Sequence, residues 1–155
     1  MLIVNPNEQV LAQYRALQSA LEADRAKLRQ LRTRRATTLD GTDIELQANI
    51  ELPQDLEDVR ESGATGIGLF RSEFLFLNRP DLPGEDEQFE AYREVARGMD
   101  GLPVTIRTLD LGADKSIDGD HSAGPNPALG LRAIRYCLAE PLLFQTQLRA
   151  ILRAS

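Results

Sequence analysis

Three stretches with strand character, each followed by a segment of helical character, constrain this chain more than any other feature. Ile44, Leu46, Ala48 and Ile50 alternate with Glu45, Gln47, Asn49 and Glu51, the two-residue period of a strand. The run "LPQDLEDVRESG" then predicts a short helix, with Pro53 in its first turn and Gly63 just past its end. "GIGLF" predicts the second strand. "PGEDEQFEAYREVARGM" predicts the second helix, with Phe89, Tyr92, Val95, Ala96 and Met99 on one face and acids gathered at its start. "LPVTIRTLDLG" is a near-continuous apolar run, expected for a strand covered on both faces. Two helices follow, "NPALGLRAIRYCLAE" and "PLLFQTQLRAILRA", separated at Pro141. Alternation of this kind specifies a parallel sheet, and right-handed crossovers set the three strands side by side.

Ahead of the first strand lies a different pattern. From about Asn7 to about Arg34 the chain reads as one long helix, with Asn5 or Asn7 available as its cap. Val10, Tyr14, Leu17, Leu21, Leu28 and Leu31 follow a four-three spacing, interrupted by Asp24. A seam that narrow predicts packing along the chain's own domain or against one partner helix, and the Asp weakens a coiled-coil reading. The expected organisation is a linker helix over 1–38 and an α/β domain over 39–155. Three parallel strands close poorly by themselves, and a complete βα barrel takes about 250 residues. The domain is therefore expected to be a small open sheet or the first part of a larger barrel.

The bulk properties remove several functional classes. The 155 residues carry a formal net charge of −6, which disfavours a general nucleic-acid or anionic-membrane surface. The start of the chain lacks the pattern of a signal peptide, and no apolar run reaches the roughly 20 residues needed to span a bilayer. One cysteine, Cys137, cannot make an internal disulfide, which fits a cytoplasmic protein. Cys137 stands beside Ile134 and Leu138 on an amphipathic segment and reads as core. His121, the single histidine, lies in the polar loop "GADKSIDGDHSAGPNP" and reads as an exposed bystander.

A phosphate site in so acidic a chain has to be local. Arg71 follows "GIGLF" and Arg107 follows "PVTI", so both stand at C-terminal ends of predicted parallel strands, the edge where α/β folds bind ligands. Two guanidinium forks there suit a phosphate or carboxylate. The plainer reading pairs Arg71 with Glu73 and Arg107 with Asp110. "RTLDLGADK" adds Asp110, placed to orient an arginine, and Lys115, either a second positive charge or a solvated loop residue. "GATGIG" lacks the spacing of a dinucleotide fingerprint, and a strand follows where a helix should. The acids from Glu85 to Glu90 read as helix-start charges, and no His/Asp/Glu set has metal-ligand spacing.

Through "GATGIGLFRSEFLFLNRPDLPGEDEQFEAYREVA", "VTIRTLDLGADK" and "NPALGLRAIRYCLAEPLLFQTQLRAILRAS", the sequence resembles the Enzyme I family, the phosphoenolpyruvate–protein phosphotransferases of bacterial sugar phosphotransferase systems. "VNPNEQVLAQY" resembles the linker helix ahead of that family's barrel. The resemblance implies part of a phosphoenolpyruvate-binding TIM-type barrel, Mg²⁺ as cofactor, phosphoenolpyruvate and pyruvate as ligands, transfer to an enzyme histidine and then to the carrier protein HPr, and a homodimer. It further implies Arg71 and Arg107 as ligands of the substrate phosphate, with Arg132 of "GLRAIR" near the site. The family's phosphorylated histidine, metal carboxylates and catalytic cysteine have no counterpart in these residues. The chain therefore reads as a fragment holding roughly three of the eight barrel units, without catalytic or metal-ligating residues and inactive alone. Alternatives are a pyruvate phosphate dikinase or phosphoenolpyruvate synthase type enzyme, and an inert interaction or oligomerisation segment.

Overall fold

A computed structural model describes residues 3–111 and 129–155. Lys115 and His121 lie outside them. The described residues fall into two compact units, 3–44 with 61–63 and 45–60 with 64–111 and 129–155.

In the first unit, helix α1 runs from Glu8 to Arg29, with the side chain of Asn7 accepting from Val10 N at 2.9 Å as its cap. Asn7, rather than Asn5, is thus the capping residue. The helix stops short of Arg34. Beyond it Gln30, Leu31 and Arg32 donate to carbonyls three residues back, a tightened turn. Arg29 and Arg32 place like charges one turn apart, and Thr33 is a poor helix former, so extension is disfavoured. No residue of α1 is buried. The seam residues Leu17, Leu21, Leu28 and Leu31 are 51–64% exposed.

The expected strand from Ile44 is much shorter. β1 spans Ala48–Ile50, because Ile44 N is taken by Ala36 O at 2.7 Å, closing a small turn around Gly41. After a single tight turn at Pro53–Asp55, α2 covers Leu56–Ser62 and ends at Gly63 with φ +74°. β2 spans Ile67–Arg71, α3 Glu85–Gly98 and β3 Val104–Arg107. Then come α4, Ala133–Ala139, and α5, Pro141–Ala154. α4 starts later than the sequence pattern suggests. Leu111 O accepts Ala133 N at 2.9 Å and Arg132 is extended, so the chain turns helical only after this tie to the segment following β3.

Among the described residues the three strands form one parallel sheet in the order β1-β2-β3, as the alternation predicted. The architecture is the α/β class with a long leading helix, the expected beginning of a βα barrel. The main core joins Ile50, Ile67 and Phe70 of the sheet to Leu56 and Val59 of α2, to Tyr92 and Val95 of α3 with Met99 just beyond it, and to Ala150 of α5. Phe70 and Tyr92 meet edge to face, centroids 5.8 Å apart at 81°. That geometry adds about 0.5–1.5 kcal/mol to the burial of the two rings. β3 is covered less completely than its apolar sequence suggests. Thr105 is exposed, and among the described residues β3 pairs only with β2.

A second, smaller core lies beyond the strand ends, where Phe76, Leu109, Leu111 and Cys137 pack with Leu143 and Phe144. The first residue of β2 is held against the chain before β3 by Ile67 N donating to Pro103 O at 2.8 Å. A β-carbon on Gly66 would stand 2.8 Å from that same carbonyl. Gly66→Ala is therefore expected to cost about 1–3 kcal/mol through overpacking against backbone. Urea denaturation of the variant against the parent chain measures it, and an unchanged midpoint would exclude the close approach.

Candidate anion site at the strand ends

Arg71 and Arg107 are register partners, the last residues of adjacent parallel strands. Adjacent strands lie about 4.8 Å apart, so two guanidinium groups rise from neighbouring points on one sheet edge. The structure thus brings together the two arginines that the sequence singled out.

Their partners differ from the simple expectation. Arg71 Nη1 donates to Glu51 Oε1 at 2.8 Å, not to Glu73. The reason is the turn at Ser72–Leu75, which follows β2 at once and swings Glu73 inward. There Glu73 accepts from Arg107 Nη2. Arg107 Nη1 also lies 3.3 Å from Asp110 Oδ2, the pairing foreseen for it. Asp110 in turn accepts from Arg132 Nη2 at 3.2 Å through its other oxygen. Arg132 therefore belongs to the same rim, carried there by the extended backbone before α4. Lys115 lies outside the described residues.

Arg71, Arg107 and Arg132 are balanced by Glu51, Glu73 and Asp110, so the rim is close to neutral. The carboxylates are not equivalent. The Glu73 side chain is 6% exposed and that of Glu51 43%. An ion pair as open as Arg71–Glu51 is worth about 0–1 kcal/mol, and an arriving phosphate offers a forked, charge-assisted contact in exchange. Glu73 is shut away from such exchange and keeps Arg107 anchored. The side chains of Arg71, Arg107 and Arg132 are each about a third exposed, at 38%, 34% and 38%.

Beneath the rim runs a buried chain of neutral polar groups. Gln147 of α5 donates to Ser72 Oγ at 2.9 Å and to the Tyr92 hydroxyl at 3.1 Å, while its Oε1 accepts Leu109 N at 2.8 Å. Ser72 Oγ donates to Arg107 O at 2.5 Å. Tyr92 OH donates to Gln88 Oε1 at 3.2 Å, and Gln88 Nε2 to Pro83 O at 2.9 Å. Burial pushes the Tyr92 phenol above its usual range, so it stays a neutral donor. Sequence reasoning missed Glu51, Ser72, Gln88 and Gln147. For the glutamines the signal was present, a polar residue on the inward face of an amphipathic helix.

Cys137 belongs to the second core, as expected, with its thiol 3.7 Å from Leu109 O. Burial pushes its pKa up, so the reactive thiolate is suppressed. Among the described residues no three metal-ligating side chains converge, and each acid of the rim is paired with a guanidinium. These residues do not form a donor set for Mg²⁺. No helix among them is long and apolar enough to cross a membrane.

The PEP-binding domain of PEP-utilising enzymes matches residues 25–155. The chain belongs to this family. Among similar proteins, the phosphoenolpyruvate-protein phosphotransferase of Cupriavidus necator is 56% identical over 159 aligned residues, covering 100% of this chain and 27% of the relative. Proteins of the same name from Staphylococcus carnosus and Staphylococcus aureus are 47% and 50% identical, covering 99% of this chain and 27% of each relative. The chain thus spans about a quarter of the length of the phosphotransferases it matches.

If Cys137 is held as described, thiol reagents leave it untouched in the native chain and modify it only once urea unfolds the domain. Titration with a chromogenic disulfide reagent checks this, and rapid labelling without denaturant would contradict the burial.

Proposed function

We propose that this chain supplies the arginine side of the phosphoenolpyruvate site of a phosphoenolpyruvate–protein phosphotransferase. The observation that carries the reading is the adjacency of Arg71 and Arg107 at the C-terminal sheet edge, with Arg132 joined through Asp110. Arg71 and Arg107 bind the substrate phosphate and Arg132 supports them. Phosphoryl transfer depends chiefly on positioning and on neutralising charge at the transferred group, which is what clustered guanidinium groups do. Glu51 and Asp110 hold the arginines extended until the phosphate replaces part of those contacts. The full reaction passes the phosphoryl group to an enzyme histidine and on to HPr, in a cytoplasmic, dimeric enzyme serving sugar uptake. Mg²⁺ would stabilise charge on the phosphoryl group.

A second reading, an interaction segment without ligand binding, draws on the exposed apolar seam of α1. Calorimetry with phosphoenolpyruvate separates the two. The anion-site reading expects measurable binding that falls at least tenfold in Arg71→Ala and in Arg107→Ala, each loss being that of a charge-assisted contact of about 1.5–3 kcal/mol. No binding by the parent chain, together with concentration-dependent assembly in sedimentation, would favour the interaction segment. Phosphorylation of HPr by the chain alone is not expected, since no residue matches the family's phosphorylated histidine.

A further inference from the structure

The arginine pair is only as well placed as the two strand ends that carry it, and one amide side chain holds both. Gln147 is fully buried, and both N–H groups and the oxygen of its amide are engaged. One N–H reaches Ser72, the residue directly after Arg71. Ser72 in turn donates to the carbonyl of Arg107 itself, joining the end of β2 to the end of β3. The amide oxygen fixes Leu109 N, one residue before Asp110, the acid shared by Arg107 and Arg132. Arg71, Arg107 and Asp110 of the rim are therefore tied to Gln147 through a neighbouring backbone position or through one hydroxyl.

We infer that Gln147 is a positioning residue for the anion site, setting the separation of the Arg71 and Arg107 guanidinium groups and the reach of Asp110 without touching the ligand. This rests on the assignment of those arginines to the substrate phosphate. The choice of residue supports the role. An apolar side chain at this position on the inward face of α5 would leave Leu109 N without its acceptor and Ser72 and Tyr92 without their donor. The buried amide instead uses both N–H groups and its oxygen, which fixes geometry because a slip leaves a buried polar group unpaired.

The test compares Gln147→Met, close in volume but without the amide, Ser72→Ala, which removes the hydroxyl relay to Arg107, and Val95→Ala, a core truncation that removes no hydrogen-bonding group of the network. Two readouts are taken on the 155-residue chain, phosphoenolpyruvate affinity by calorimetry and the guanidinium Nε–H signal of Arg107 by nitrogen-15 NMR, assigned with Arg107→Lys. Arg107 Nε is buried, so its signal reports the local placement of the side chain. Gln147→Met and Ser72→Ala are expected to shift the Arg107 signal and to weaken binding by roughly ten- to a hundredfold, as when outer partners of a ligand shell are removed. Val95→Ala is expected to lower the melting temperature and leave both readouts in place. Folded Gln147→Met with an unchanged Arg107 signal and unchanged affinity overturns the inference. If Gln147→Met does not fold, Ser72→Ala decides by the same two readouts. If the parent chain binds no phosphoenolpyruvate, the site assignment fails while the Arg107 signal still decides whether Gln147 sets the pair's geometry.

Discussion

Two guanidinium groups standing side by side on neighbouring strands are the constraint around which the sheet edge is organised. Like charges at that spacing repel, and a folded chain tolerates them only where opposite charge is fixed close by. The carboxylates arrive from three separate places. Glu51 follows β1, Glu73 sits in the turn after β2, and Asp110 follows β3. Glu51 answers the arginine that ends β2 and Glu73 the one that ends β3, while Asp110 answers Arg107 and Arg132. An edge built this way forms only when all three strands are in register, which couples the rim's electrostatics to the topology of the sheet.

The two hydrophobic cores lie on either side of this requirement. The main core fixes the sheet against α2, α3 and α5, and the smaller one fixes the segment after β3 against α4. Between them the polar chain from Pro83 through Gln88, Tyr92 and Gln147 to Ser72 crosses the interior without an unpaired link. α3 and α5 are joined a second time at the surface, where Arg153 meets Glu85 and Asp86 and lies 4.2 Å over the Phe89 ring. The helices behind the sheet thus act as one support for the residues at its edge.

Much of this was legible in the sequence because it follows from local periodicity. The three strands, their order, the helix after each and the placement of Arg71 and Arg107 came from alternation and strand ends. What was not legible depends on register or on turns. Glu51 partners Arg71 because β1 lies beside β2 in one particular alignment, which no short-range pattern encodes. Arg71 and Glu73, two residues apart, looked like neighbours on one face until the turn at Ser72 rotated the acid toward Arg107. The first strand was overestimated because Ile44 and Leu46 fit its alternation, yet Ile44 is claimed by Ala36. Gln147 was passed over because glutamine in a helix is ordinarily a surface residue. Its place among Leu143, Ala150 and Ile151 was the available clue.

The unequal exposure of Glu51 and Glu73 has a consequence for how the site meets its surroundings. At physiological ionic strength the screening length is about 8 Å, and mobile ions reach the open Arg71–Glu51 pair far more readily than the enclosed Arg107–Glu73 pair. Dissolved salt therefore weakens the Arg71–Glu51 pair more than the Arg107–Glu73 pair, whose carboxylate is enclosed.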